Sequence, residues 1–146
     1  MNDSAIPDAL DALFDLWSGL KLTGLQVIDG PPWDIEGDFL AVGWDRTDSP
    51  AVSQTSMPLT AGMHTARSGF DVSNVLSAWR GDAALRVVRR RLFTIYQQLT
   101  AALDTDRSLG GAVMTAWPSE LDMTPDVGET GEFVDLRFTV HCDAAG

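Results

Sequence analysis

Residues 82–113 constrain this chain more than any other stretch, because apolar residues recur there at helical spacing along the whole segment. Leu85, Val88, Leu92, Ile95, Leu99 and Leu103 follow one another at steps of three and four, which gathers them on one side of an α-helix. A helix with a single apolar stripe has to lie on something, and the strands read elsewhere in the chain supply a sheet. Asp82 stands where an N-cap is expected, and Gly110-Gly111 follows the last apolar position as a stop. The outward side carries Arg86, Arg89, Arg90 and Arg91, with Arg80 just upstream. These five are half of the ten Lys and Arg side chains in a chain of net charge −11.

A shorter amphipathic helix precedes the strands. It starts at Asp3 or Ser4, accommodates Pro7 in its first turn and stops at Gly19. Leu10, Leu13, Phe14 and Trp17 share one side, and Asp8, Asp11 and Asp15 take the other. Strands follow at residues 25–28, closed by the turn Asp29-Gly30-Pro31-Pro32, and at 39–44, whose apolar residues on both faces mark a central position. Residues 51–57 read as an exposed strand, and 59–66 match no pattern. In 69–79, Phe70, Val72, Leu76 and Ala78 share one parity while Asp71, Ser73 and Ser77 take the other. Asn74-Val75 breaks the alternation and predicts a bulge. A hairpin closes the chain, with strands at 112–121 and 133–142 around an acidic loop at 124–132. Helix, strands, helix, hairpin is the order of an α+β fold. It predicts one domain over 1–146, with an antiparallel or mixed sheet packed against two main helices.

Length and charge exclude several roles. A chain of 146 residues buries a core without staples. Its acidity argues against a general nucleic-acid binder and against an anionic membrane surface, since both need a positive field. One cysteine, Cys142, excludes an internal disulfide framework and fits a reducing compartment. The acidic start lacks the basic region of a secretory signal, and no apolar run approaches the ~20 residues of a membrane span. A cytosolic protein without a membrane partner is expected.

Catalytic chemistry finds little to work with. Asp29, Asp34, Glu36 and Asp38 cluster in one loop and could hold a hard cation, yet their spacing matches no calcium loop. A solvated acidic turn is the better reading. His141 and Cys142 are neighbours in a strand and point to opposite faces, so they cannot act as base and nucleophile. His64 lies near Ser68 and Asp71 in sequence without any nucleophile motif. One cysteine and two histidines make no zinc set. Gly110-Gly111 follows a helix instead of preceding one, the wrong polarity for a phosphate cradle. No catalytic residue, metal or cofactor is expected.

The arginines make more sense as an interface. Like charges three and four residues apart on a helix repel, and a basic ridge in an acidic protein gains most by facing carboxylates within the fold or on a second copy. Trp33 in a loop, with Trp79 and Trp117 near strand ends, adds candidate aromatic anchors. The expected oligomer interface therefore comprises Arg80, Arg86, Arg89, Arg90, Arg91, Trp33 and Trp79.

The run from Val87 to Phe93, then Leu99 and Ala102-Leu103, then Asp106 with Leu109-Gly110-Gly111-Ala112-Val113 resembles tail terminator proteins of long-tailed actinobacterial phages. So do Leu13-Phe14-Asp15-Leu16-Trp17, the turn around Asp29-Gly30-Pro31-Pro32, the strand Phe39 to Gly43 and the last strand. Gln97-Gln98 stands where that family is richer in alanine. The resemblance implies a subunit similar to the lambda-type terminator, assembled as a homo-oligomeric ring, usually a hexamer. Such a ring caps the tail tube in the virion and stops further addition of the major tail tube protein. It also presents the surface that docks the head through its connector or neck protein. Subunits of this kind assemble in the host cytoplasm, and the genome passes through the ring without specific binding. A head–tail connector shares size, charge and ring habit with this reading. A small metal-dependent hydrolase built on the loop carboxylates and a small-ligand-binding domain are the readings from other classes.

Overall fold

Alternation in two long strands decides the architecture. The computed structural model describes residues 5–33, 35, 37–46, 50–57, 67–127 and 133–144. Its elements are α1 (Ala5–Ser18), β1 (Leu25–Asp29), β2 (Asp38–Val42), β3 (Val52–Met57), β4 (Arg67–Trp79), α2 (Leu85–Thr105), β5 (Thr115–Val127) and β6 (Phe133–Ala144). β4 and β6 pair antiparallel from Ser68 opposite Ala144 to Trp79 opposite Phe133. One face of that pair buries Phe70, Val72, Leu76 and Ala78 together with Val134, Leu136, Phe138, Val140 and Cys142, in a single core with the stripes of both helices.

The six strands run β1-β2-β4-β6-β5, with β3 also pairing β4. β1 and β2 are parallel and the remaining pairs antiparallel, so the α+β expectation holds with a mixed sheet. The parallel pair needs no crossover helix. Eight residues (30–37) reach up to about 26–29 Å when extended, more than the ~17 Å of a five-residue strand. Both helices lie on one face, α1 against β1 and β2, α2 against β4, β6 and β5.

β2 and β3 are two halves of one interrupted strand. Val42 pairs Asn74 and Val52 pairs Val72, so both run antiparallel to β4 along the same edge. Trp44 N–H donates to Ser73 O and Ser73 N–H to Ala51 O, each at 2.9 Å, so both halves are tied to β4 at Ser73. The strand expected over 39–44 therefore stops at Val42, where Gly43 turns away at φ +67° with Leu10 closely packed against it.

Three local expectations are corrected. Asn74 makes no bulge, because the β4–β6 register is uninterrupted there. Its amide instead sits buried on the helix side, donating to Val72 O (3.1 Å) and Phe138 O (3.4 Å) and accepting from Gly43 N–H (3.2 Å). Asp82 does not cap α2. Gly81 at φ +55° and a turn from Ala83 N–H to Arg80 O place Asp82 before the helix, and the cap position falls to Ala84 with no side-chain bond. Strand β5 starts at Thr115 and runs on to Val127, taking up four residues of the expected acidic loop through a second register shift. The caps Asp3 and Ser4, the stretch 59–66 and the remainder of that loop, 128–132, lie outside the described residues.

Helix α2 holds its place through Val88, Leu92, Ile95, Leu99 and Leu103, all buried; each such side chain contributes about 1.5–3 kcal/mol relative to exposure. α1 joins it through Trp17, whose indole donates to Leu99 O at 3.1 Å and whose ring meets Phe138 edge-on at 5.6 Å. Past Thr105 the chain turns through Leu109 (φ +51°), Gly110 and Gly111, with Gly110 N–H on the Asp106 carboxylate and Leu109 inserted in the core.

Candidate interaction surface

Helical geometry separates the arginines. One residue is a step of about 100° around a helix, so Arg90 and Arg91 point in different directions. Arg91 turns to the sheet edge, where its Nε lies 3.0 Å from Asp38 and its Nη2 donates to Trp79 O at 3.1 Å. Asp38 also accepts from Trp79 N–H at 2.9 Å, so Arg91 ties α2 to the start of β2 and the end of β4. Arg80 Nε donates to Ala83 O across the turn before α2. Arg86, Arg89 and Arg90 are exposed and make no side-chain ion pair among the described residues. The five arginines grouped by sequence thus divide into two that bind their own fold and three that face outward.

The tryptophans divide in the same way. Trp17 is core. Trp33 is 79% exposed. Trp79 is half exposed and stacks edge-on against Phe133 at 5.2 Å. Together with Ile35 and Gly37 those two rings line an open, mainly apolar groove of about 340 Å³. Trp79 therefore sits at one end of the β4–β6 pair, and Trp117 lies against His141 at the other end of the same sheet face, 4.8 Å between rings.

The sheet face away from the helices holds a network that neighbouring positions in sequence do not reveal. Arg46 binds Asp135 through two nitrogens and lies 5.6 Å above the Trp44 ring. Arg137 Nε donates to Asp45 at 2.6 Å, and its Nη1 to Asp122 at 3.3 Å. The bond to the buried Asp45 carboxylate raises the Arg137 pKa despite the opposing cost of desolvation. These pairs strap residues 43–46 across β6. The available signal was the alternation of Asp135 and Arg137 on the polar parity of β6, opposite in charge to the Asp45-Arg46 dipeptide.

At the far end of that face, His141 Nδ1 lies 2.7 Å from Asp71 and Nε2 lies 3.1 Å from Asp143. Burial works against the charged ring, and the hydrogen bonds to Asp71 and Asp143 outweigh it, so the His141 pKa is raised. Cys142 faces the opposite way, into the core, where burial pushes its thiol up to about 12. The pair is separated by the sheet, as alternation requires, and the thiol is held in its unreactive form. His64 lies outside the described residues.

Of the loop carboxylates, Asp34 and Glu36 also lie outside, and Asp38 is committed to Arg91 and Trp79. No group of three His, Cys, Asp or Glu among the described residues has the arrangement of a metal site. No described helix is long and apolar enough to cross a membrane.

No family model and no curated protein matches the sequence. Solved structures do match the fold. A chain of the virion of native gene transfer agent (GTA) particle is 14% identical, with 94% of each chain covered and a TM-score of 0.51. At that identity the likeness speaks for the fold, over nearly the whole of both chains.

Proposed function

We propose that this chain is a structural subunit of a phage-type virion, one domain long. It forms a ring at the end of the tail tube, stops further addition of tube protein and presents the surface on which the head docks. The observation that carries this reading is the fold shared, along 94% of both lengths, with a chain of the GTA virion. The ordered resemblance to tail terminators supports a place at the head–tail junction. Three outward arginines on α2 and the exposed Trp33 supply contact surface without any chemistry to perform. The net charge of −11 lets a genome pass a ring lumen without adhering, because affinity for DNA grows with each cationic contact to phosphate. The partners are further copies of the same chain, the major tail tube protein and the connector or neck protein, with no cofactor and no membrane.

Purified protein added to purified tail tubes with open ends tests this directly. Electron microscopy should show one capped end per tube, and added tube protein should no longer lengthen it. Binding to emptied heads and not to tubes would move the chain to the connector. Binding to neither would remove the reading.

A further inference from the structure

α1 carries Asp8, Asp11 and Asp15 and no cationic residue. All three are exposed, share one side of the helix, and make no ion pair among the described residues. They border an open depression of about 380 Å³ whose other wall is the turn after α2. That wall includes Gly110 and Gly111, and a Cβ added at either would meet open space. A helix from outside could therefore approach the backbone closely.

Helix α2 presents the converse. Arg86, Arg89 and Arg90 stand outward on one side of the helix, flanked by Val87, which is 53% exposed. Each cluster is unfavourable alone, since like charges three and four residues apart repel. Arg91 has its carboxylate at Asp38 within the fold, but these three have none among the described residues. The aspartates of α1 are the matching group of equal number, and planar guanidinium groups meet carboxylates through paired hydrogen bonds.

We propose that the arginine side of α2 (Arg86, Arg89, Arg90) docks on the aspartate side of α1 (Asp8, Asp11, Asp15) of a second copy of this chain. The proposal deepens the ring reading by naming the two surfaces that meet. Because they differ, each subunit gives its α2 to one neighbour and its α1 to the next, the head-to-tail contact that closes into a ring.

The test uses two full-length variants, one carrying Arg86→Glu, Arg89→Glu and Arg90→Glu, the other Asp8→Arg, Asp11→Arg and Asp15→Arg. Sedimentation at low salt measures association, and circular dichroism confirms that each variant is folded. Wild-type protein should self-associate, weakening about tenfold or more as salt rises, as screened pairs do. Each variant alone has two surfaces of one sign and should remain monomeric. Their equimolar mixture should associate, since every contact then joins opposite charges. Either variant alone retaining wild-type mass, or a mixture that fails to associate, overturns the contact. A wild-type chain that stays monomeric at high concentration and low salt overturns it too. Capping of tube ends is scored separately, so the ring reading survives or falls on its own experiment. The milder pair Arg86→Gln and Arg90→Gln should give a partial loss, and full wild-type association there would count against the contact.

Discussion

The two faces of the β4–β6 pair bury their residues by different physics. On the helix side, Leu76, Leu136, Phe138 and Cys142 meet Trp17, Leu92 and Leu99 in one continuous core, with the Asn74 amide as a fully bonded exception. On the other side, Ser73, Ser77, Asp135 and Thr139 are buried beside a single β4 valine, Val75, under a strap fastened by Arg46–Asp135 and Arg137–Asp45. The first face depends on apolar area, which is non-directional and is not weakened by ionic screening. The second depends on charged groups at particular positions, where removing one partner leaves a buried charge less well compensated. A protein built this way has a robust side and a conditional side.

The largest expected effect lies on the robust side. Leu99→Ala removes a fully buried side chain between α1, α2 and the sheet, and should lower unfolding stability by about 2–5 kcal/mol. Urea denaturation measures it, and the loss should be the same at low and high salt. A salt-dependent loss would blur the distinction between the faces. Next comes Arg137→Ala, which leaves Asp45 buried with its side chain 1% exposed. Loss of a buried partner costs roughly 3–5 kcal/mol. Since the Arg137 side chain is 29% exposed, screening brings the expected cost down to about 1.5–3 kcal/mol. A cost of only a few tenths would mean that the strap is held by something other than its ion pairs. Asn74→Leu should follow, at about 1–3 kcal/mol, because Gly43 N–H loses its acceptor. Cys142 gives a local readout for these variants, since its thiol should resist alkylation until the helix side opens. Faster labelling in Asn74→Leu than in an equally destabilised Arg137 variant would assign Asn74 to the helix face in energy as well as in position.

What the sequence made legible follows the same division. Period alone exposes the stripe of α2 and the parity of β6, since each is a local repeat read against a known geometry. It also contained the separation of Arg91 from Arg90, because one residue around a helix changes the direction of a side chain by about 100°. The arginines therefore form no single ridge, since Arg91 turns to Asp38. Other features depend on which strands meet. Local patterning does not show that β2 and β3 share one edge of β4, or that Asp45 finds Arg137 across 92 positions. Asn74 looked like a break because a buried amide is unexpected in a core strand, and only Gly43 and Phe138, brought there by folding, satisfy it. Asp82 has the right chemistry for a cap, but the turn at Gly81 completes itself first.

The smallest expected effect belongs to His141 and bears on the conditional face alone. Its ring stands between Asp71 and Asp143, and those hydrogen bonds hold its pKa above the ordinary 6.5 although burial opposes them. A group whose pKa is raised on folding binds its proton more tightly in the native state, so stability falls as pH rises through that range. The contribution is fully present below about pH 6.5 and is lost as pH climbs past the folded value. Denaturation of the wild-type chain between pH 6 and 8.5 should therefore show a shallow decline that His141→Gln abolishes, while Leu99→Ala shifts the whole curve down without changing its slope. An unchanged slope in His141→Gln would show that the ring gains nothing from its two carboxylates. Asp71 and Asp143 would then be surface charges that lie near the ring without holding it.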